Sequence, residues 1–289
     1  MFMRGSLLLL MTLLTVLAPS ASRALDSAPA PEESGANATK VILTFGSGGY
    51  PPFFSESATE PEFTGQGLFV ELLDVFEAEN PQWDVRRISL PRRRQDRALA
   101  MNEAHVFCLH SPLFLTAGER SDYLFTDPIY RTGDHVITLP GSDLEFHGPE
   151  DLAGHTVGLV LGYGYGPLEQ LLEQGRVWQM RVSGEGELMR VLERGRVDAV
   201  VGNRHVAPYQ RRLLGLDPEG IVIHEPPLYE FDLVLVVRPE RRTFVEDFNA
   251  FLAKPRTRWL MRILAGRWLG VRQGRTSGLV PCVLSDEAD

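Results

Sequence analysis

The chain has 289 residues, of which 44% are hydrophobic and 23% are charged, so it can bury one large core or two small ones. Its formal net charge of -9 argues against nucleic acid as a partner, because nucleic-acid binding needs a basic surface. The dense basic run of arginines at 92–94 is interpreted as the solvated face of a helix that begins at Pro91.

Residues 1–24 have the order of a secretory signal peptide. Arg4 precedes an apolar stretch at 7–18, and small residues follow, so cleavage is expected after Ala24. The stretch is shorter than the roughly 20 residues that span a bilayer, although an uncleaved anchor is the alternative. No cysteine lies near the cleavage point, so we expect an exported protein that is not a lipoprotein. An exported protein without a lipid anchor stays with the cell only behind an outer membrane, which predicts the periplasm.

The segment at 25–39 is rich in Ala, Pro, Ser and Glu and is interpreted as a disordered leader. The chain has two cysteines, Cys108 in an apolar run and Cys282 in the C-terminal tail at 271–289. Cys108 is predicted to be buried in a strand. An oxidising compartment would allow a disulfide between the two, which their spacing does not decide.

Strand and helix patterns alternate from residue 40 onward. The first unit has strand patterns at 41–45, 84–90 and 105–109 and helix patterns at 68–80 and 92–102. A second unit repeats the order, with strand patterns at 156–161, 177–182 and 197–201 and helix patterns at 167–174 and 186–194, the last capped by Ser183. Each unit predicts a mainly parallel sheet flanked by helices.

Two segments, 130–140 and 229–237, are predicted to cross between these units. Helix patterns at 242–253 and 257–269 follow the second crossing. We therefore expect an α/β protein of two lobes, residues 40–129 with 228–270 and residues 130–227. Two crossings form a hinge over a cleft, which is an arrangement for closing around a solute.

Short motifs follow one another in a recognisable order. They are Tyr-Pro-Pro-Phe at 50–53, Phe-Thr-Gly at 63–65, Glu-Arg at 119–120, Phe-Thr-Asp-Pro-Ile-Tyr at 125–130, Asp-Leu-Ala-Gly at 151–154, Val-Gly at 157–158, Gly-Arg-Val-Asp-Ala-Val at 195–200, and Asn249, Leu252, Ile263, Leu264 and Trp268. In these motifs the chain resembles the extracytoplasmic solute-binding proteins of family 3, the amino-acid-type binding proteins of ABC importers. The resemblance implies a type II-like periplasmic-binding-protein fold, a small carboxylate-bearing ligand, an inner-membrane ABC permease as partner, a monomer and no cofactor.

The resemblance makes Arg120 the candidate that grips the ligand's carboxylate, because a guanidinium matches a carboxylate with two parallel hydrogen bonds. The alternative is a surface arginine near Glu119 or Asp122. The polar residue that the family places just ahead of the Arg is displaced here, to Thr116. Where amino-acid binders carry an Asp for the α-amino group, this chain has Asn203, which brings no charge. Recognition of an α-ammonium group is therefore in question.

Further candidates follow strand ends, where the ligands of α/β sheets bind. Tyr50 and Phe53 are predicted to form aromatic walls, with a role in the core as the equal alternative. Ser111 is a candidate donor to the ligand. Tyr163 lies in the Gly-Tyr-Gly-Tyr segment at 162–165, whose backbone amides can face an anion.

Catalytic and metal signatures are weak. The seven histidines show no pair at metal-ligand spacing, and the glycine-rich segments fit neither the dinucleotide nor the phosphate-loop pattern, so we expect no metal, cofactor or catalytic residue. Two alternatives stay open. One is a soluble sensory feeder protein. The other is an enzyme like the cyclohexadienyl dehydratases, which share this fold and need a general acid, offered here only by Glu185, Glu187 or His205.

Overall fold

The computed structural model describes residues 38–55 and 65–270, all within the compact unit Asn37–Asp289. The predicted signal peptide at 1–24, most of the leader at 25–39 and the tail with Cys282 lie outside these ranges. Within the ranges, no helix is long and apolar enough to cross a membrane. Regular structure begins one residue earlier than predicted, because Thr39 already pairs with Trp83.

The first lobe is a sheet of mainly parallel strands with helices packed against it. Its elements before the crossing are β1 Thr39–Gly46, α1 Leu68–Glu79, β2 Trp83–Leu90, α2 Arg92–Ala100, β3 Val106–His110, α3 Ala117–Asp122 and β4 Leu124–Phe125. Strand β1 lies between β2 and β3 and is parallel to both. Cys108 is buried in β3, as predicted.

The helices α7 Arg242–Ala253 and α8 Pro255–Leu269 complete this lobe. The apolar face of α1 packs against α7 and α8, and Phe76 is the centre of the contact. Its ring lies 5.6 Å from Phe244, 5.0 Å from Phe248 and 5.4 Å from Phe251, all edge to face. Burying four phenylalanine rings fixes the C-terminal segment on the first lobe.

The second lobe repeats the strand–helix order around its own core. Its elements are β6 Thr156–Val160, α4 Glu169–Glu173, β7 Trp178–Val182, α5 Glu185–Glu193, β8 Ala199–Asn203, α6 Val206–Leu213 and β9 Val222–Ile223. Strand β6 is parallel to both β7 and β8. One prediction in this lobe is wrong, because Ser183 does not cap α5, whose N-cap is Gly184. The short helix predicted at 167–174 is present as a 3-10 turn, Gly166–Leu168, that leads directly into α4.

Two long strands, β5 Tyr130–Thr138 and β10 Tyr229–Val237, connect the lobes. They pair with each other antiparallel from Tyr130 opposite Leu233 to Asp134 opposite Tyr229. Beyond that shared segment, β5 pairs antiparallel with β8 in the second lobe, and β10 pairs antiparallel with β3 and β4 in the first lobe. The sheet order is therefore β2-β1-β3-β10-β5-β8-β6-β7. The predicted α/β class is confirmed.

Close backbone approach between the two crossing strands depends on Gly133. A Cβ atom placed there would lie 2.9 Å from the carbonyl oxygen of Tyr229 and 3.1 Å from Cβ of Pro227. A Cβ at those distances would force the two strands apart, so glycine lets them pair closely at this point.

Candidate functional site

A cavity of about 590 Å³ lies between the lobes. Its lining comes from residues that follow the carboxyl ends of strands in both lobes, at 46–50, 109–111, 160–164 and 183–187. The crossing strands contribute Asp134, Phe231 and Leu233. Ligands of α/β sheets bind at such strand ends, and the volume suits a small organic molecule.

Arg92 and His110 form one charged corner, on the first lobe. The guanidinium of Arg92 lies 4.6 Å above the Phe107 ring, and its Nη2 is 3.3 Å from Nε2 of His110. Burial, and then the charge of Arg92, lower the pKa of His110 to about 3. A neutral His110 accepts a hydrogen bond from Arg92 through Nε2, so the proton of its ring is on Nδ1. Arg92 also pairs with Asp96 on the same helix.

Gln95 adds an unused donor near this corner. It lies one turn after Arg92 on α2, is 1% exposed and lines the cavity. Its side-chain Nε2 has no hydrogen-bond partner among the described residues. A buried donor without an acceptor is costly, so Gln95 would gain a hydrogen bond if its side chain turned toward an acceptor in the cavity.

The second lobe and the hinge supply carboxyl groups instead. Glu185 begins α5, lines the cavity and is 8% exposed. Burial, and then the charge of Asp134, raise its pKa to about 8. Asp134 is also 8% exposed, and burial raises its pKa to about 6, although the hydroxyl of Tyr229 donates to its Oδ2 at 2.8 Å. The cavity therefore has a cationic side and an acidic side.

Three residues proposed from the sequence lie in the cavity wall. Tyr50 is half-buried there, with its ring stacked on Phe53 at 5.6 Å. Tyr163 also lines the cavity, and burial raises its pKa, so its hydroxyl keeps its proton. Ser111 lines the cavity, and its Oγ accepts a hydrogen bond from the Leu113 amide at 3.3 Å.

The other four are not brought into the cavity lining of the described residues. Phe53 is fully buried beneath Tyr50 and packs on Tyr130 at 5.4 Å. Thr116 is exposed and caps α3, since its Oγ1 accepts the Glu119 amide at 3.3 Å. Arg120 lies on the same short helix with its side chain exposed. The ligand contacts predicted for these residues stay predictions.

Asn203 is buried where β8 meets β5. Its Nδ2 donates to Thr132 Oγ1 at 2.8 Å and to the Gly133 carbonyl oxygen at 3.2 Å, and its Oδ1 accepts the His205 amide at 3.0 Å. These bonds occupy both ends of the amide. Asn203 therefore holds the hinge strand β5 to β8, and its predicted role toward a ligand is untested.

Sequence reasoning missed the charged groups that line the cavity. Interpreting Arg92 as part of a solvated face is wrong, because only Arg93 and Arg94 are exposed while Arg92 turns into the cavity. Asp134 stands in a predicted crossing segment, and its polar neighbours Thr132 and His135 gave no signal that it would be buried. Glu185 was noted only as an acid without pattern, because its burial depends on how α5 meets the cavity.

No protein-family model matches the sequence, and neither does any curated protein. Solved structures match in fold. A mutant arginine-binding protein, ArgBP, from T. maritima is 20% identical with a TM-score of 0.64, over 80% of this chain and 96% of that one. The substrate-binding protein of an amino acid ABC transporter is 15% identical with a TM-score of 0.62, over 81% and 100%.

A structure from work on glutathione import through GshT and the cystine ABC importer TcyBC of Streptococcus mutans is 16% identical, with a TM-score of 0.67 over 80% of this chain and 95% of that one. Identities this low establish architecture and leave ligand and partner to the site itself. The resemblance found in the sequence is confirmed as a likeness of fold: the chain has the two-lobe architecture of amino-acid-type substrate-binding proteins.

Proposed function

We propose that this chain is a solute-binding protein that captures a small polar, carboxylate-bearing solute between its lobes and does not change it chemically. The observation that carries the proposal is the cavity of about 590 Å³ lined from both lobes and from the strands that join them. A site built in this way is completed when the lobes approach one another, so ligand binding and closure are coupled.

The hinge consists of β5 and β10, and the moving parts are residues 40–129 with 228–270 against residues 130–227. Each strand runs without a break from one lobe to the other, so bending the two strands moves each lobe as a rigid body. Saturating ligand should reduce the radius of gyration in small-angle X-ray scattering. An unchanged radius in a protein that binds ligand would contradict the hinge.

The carboxylate of the solute binds at the corner formed by Arg92 and Gln95. Arg92 supplies a guanidinium that lies on the Phe107 ring, and Gln95 supplies a buried donor that has no acceptor within the described chain. A carboxylate loses strong hydration on entering a cavity, and pre-positioned charged donors offset that loss.

A thermal-shift screen over amino acids, dicarboxylates and polyamines, followed by calorimetry, tests the function, because a ligand of the folded state raises the Tm by mass action. Arg92→Ala should weaken binding of the selected carboxylate by about 2–5 kcal/mol. The matched control is Arg93→Ala, whose side chain is exposed on the same helix. If no compound raises the Tm, the proposed function is wrong. If Arg92→Ala binds like the parent, the carboxylate lies elsewhere.

Export to the periplasm and delivery to an inner-membrane ABC permease belong to the same proposal. Their support is the signal-peptide order at 1–24 and the amino-acid-binder motifs in the sequence. Osmotic shock should release a soluble monomer whose N-terminus is near Leu25. Recovery of the intact N-terminus in the membrane fraction would contradict export with cleavage.

One observation favours a second candidate, a dehydratase acting on a cyclohexadienyl acid. Of the acids named from the sequence, Glu185 is buried in the cavity with a pKa of about 8, whereas Glu187 pairs with Arg190 at 3.2 Å and His205 contacts Tyr130 at 3.2 Å. A carboxyl that keeps its proton at neutral pH can act as a general acid. It would protonate a departing hydroxyl, which leaves as water while the ring carboxylate leaves as carbon dioxide and its electron pair makes the ring aromatic.

Incubation with prephenate or arogenate separates the two candidates. Formation of the aromatic product, lost in Glu185→Gln and kept in Glu173→Gln, would establish the enzyme. Binding of these or other solutes without product supports the solute-binding protein.

A further inference from the structure

His105 and Arg241 turn hydrogen-bond donors toward each other on the first lobe. The backbone amide of Ile42 donates to Nδ1 of His105 at 3.0 Å, so the proton of the neutral ring is on Nε2. That Nε2 lies 3.3 Å from Nη2 of Arg241, and a guanidinium has donors only. Burial, and then the charges of Arg241 and Arg238, lower the pKa of His105, so the ring stays neutral. Two N–H groups therefore meet where one acceptor is needed.

Arg241 has no acceptor elsewhere in the described part of the chain. It is half-buried and forms no ion pair with a described residue. Its Nε is fully buried without a partner, so the guanidinium can gain an acceptor only through its Nη groups. Arg238 differs, because it donates to the Leu99 carbonyl oxygen and, at 3.0 Å, to Glu240. A partly desolvated guanidinium without an acceptor is costly, so Arg241 is suited to an acceptor from outside the chain.

Positive charge is in excess around His105. Arg241 and Arg238 act on its ring most strongly, Lys40 adds to them, and Glu240 opposes them. The carboxylate of Glu240 is already paired with Arg238. This group lies by the amino ends of β1 and β3, whereas the interlobe cavity is lined from the carboxyl ends of these strands, and none of its residues lines that cavity. An acceptor that also carries negative charge therefore fits better than a neutral one.

We propose that His105 and Arg241 bind a phosphate-type oxyanion through Nε2 of the imidazole and Nη2 of the guanidinium. Donors 3.3 Å apart can share one oxygen atom or bind two oxygens of one tetrahedral group. The site is separate from the interlobe cavity and does not depend on the proposed solute-binding role. Free phosphate and the headgroup of an anionic phospholipid offer the same chemistry, so both are tested.

The test is calorimetry with inorganic phosphate and with sulfate at low ionic strength, where charge pairs are least screened. The protein is the chain from Leu25, which keeps the compact unit Asn37–Asp289 whole. Arg241→Gln removes the charged donor, and Arg242→Gln is the matched control, because that neighbouring side chain is exposed. Arg92→Ala separates this site from the cationic corner of the cavity. Proton–nitrogen correlation spectra of the histidine rings locate the anion.

We expect phosphate to bind the wild type, Arg242→Gln and Arg92→Ala in the millimolar range and to shift the Nε2 resonance of His105. Arg241→Gln should weaken binding about 10- to 100-fold. Circular dichroism and the Tm verify folding of each variant.

Sedimentation with phosphatidylglycerol vesicles, against phosphatidylcholine vesicles, distinguishes the two sources of the anion. Vesicle binding that Arg241→Gln loses and free phosphate displaces identifies a headgroup. Binding of phosphate without vesicle binding identifies the free anion.

Three results would overturn the inference. If neither phosphate, sulfate nor phosphatidylglycerol shifts Nε2 of His105, water satisfies the two donors. If Arg241→Gln binds phosphate as tightly as the wild type, the guanidinium is not part of a site. If binding is lost in Arg92→Ala and kept in Arg241→Gln, the anion lies in the interlobe cavity. The solute-binding role is tested separately by the thermal-shift screen and stands in each case.

Discussion

Replacing Glu185 with Gln should stabilise the ligand-free protein at alkaline pH, because it removes a charge that the cavity does not compensate. A carboxyl that ordinarily titrates at 4.5 titrates at about 8 in the folded protein, owing to burial and then to Asp134. Between these values the folded state holds a proton that the unfolded chain has lost. The free energy of unfolding of the wild type therefore falls as the pH rises from 4.5 to 8.

The size of the effect follows from the same two pKa values. At 1.36 kcal/mol for each pKa unit, the full cost of ionising Glu185 in the folded state is about 5 kcal/mol. Water in the cavity screens part of the charge, so we expect Glu185→Gln to gain about 2–4 kcal/mol above pH 8. For a chain of this size, such a gain raises the Tm by roughly 5–10 °C.

Unfolding of the ligand-free wild type, Glu185→Gln and Glu173→Gln at about pH 5 and about pH 9 measures the effect. Near pH 5 the gain should be under about 1 kcal/mol, because the folded carboxyl is then protonated and the pH is only about half a unit above the pKa of the unfolded carboxyl. The exposed Glu173→Gln should follow the wild type at both values. If Glu185→Gln and the wild type lose stability in parallel from pH 5 to pH 9, the carboxyl of Glu185 does not have a raised pKa and the reasoning is refuted.

Three further substitutions test other parts of the molecule. Tyr229→Phe removes one of the two side-chain donors to Asp134, the other being Asn203, so the pKa of that carboxyl should rise further and the unfolding free energy should fall by about 1–3 kcal/mol at pH 8, with less effect at pH 5. Gly133→Ala should lower the unfolding free energy by about 1–3 kcal/mol, because the new methyl group would meet the backbone of Tyr229 at 2.9 Å. Arg120→Ala should leave calorimetric affinity for the selected solute unchanged, since this side chain is exposed; a loss of about 2–5 kcal/mol would instead support the contact predicted from the sequence.

Local patterns were sufficient to predict most of the fold. The apolar spacing in α1 and the apolar run in β3 are dictated by burial against one core, so their type and bounds are readable without tertiary information. The start of α5, in contrast, could not be predicted from local patterns. Ser183 and Gly184 both precede it, and only the backbone path shows that Gly184 is the N-cap and that no side chain caps the helix.

The site was predicted less well than the fold, and the reason is physical. Aromatic residues after strand ends, such as Tyr50 and Tyr163, were identified because their position along the chain places them at the cavity. A charged side chain can instead turn to solvent or inward without changing the local pattern. For Arg92 the local pattern favoured solvent, but the Phe107 ring and His110 lie within its reach and draw it into the cavity. Tertiary contacts of that kind cannot be predicted from the spacing of residues along the sequence.

The placement of acidic groups reverses the expectation for Asn203→Asp. From the amino-acid-binder pattern alone, restoring an aspartate there should strengthen binding of amino acids. In the structure, however, Asn203 is the register partner of Asp134 across β5 and β8, and its Nδ2 donates to Thr132 and Gly133. A carboxylate would lose those donated bonds and would place a second negative charge beside a buried one, which raises the pKa of both groups.

We therefore expect Asn203→Asp to unfold at lower temperature above pH 6, where Asp134 is ionised, and to gain no affinity for amines. Asn203→Ser is the control, because it also loses the amide donors but adds no charge. If the aspartate variant were as stable as the serine variant at pH 8 and bound amino acids more tightly than the wild type, the ammonium group would lie at position 203.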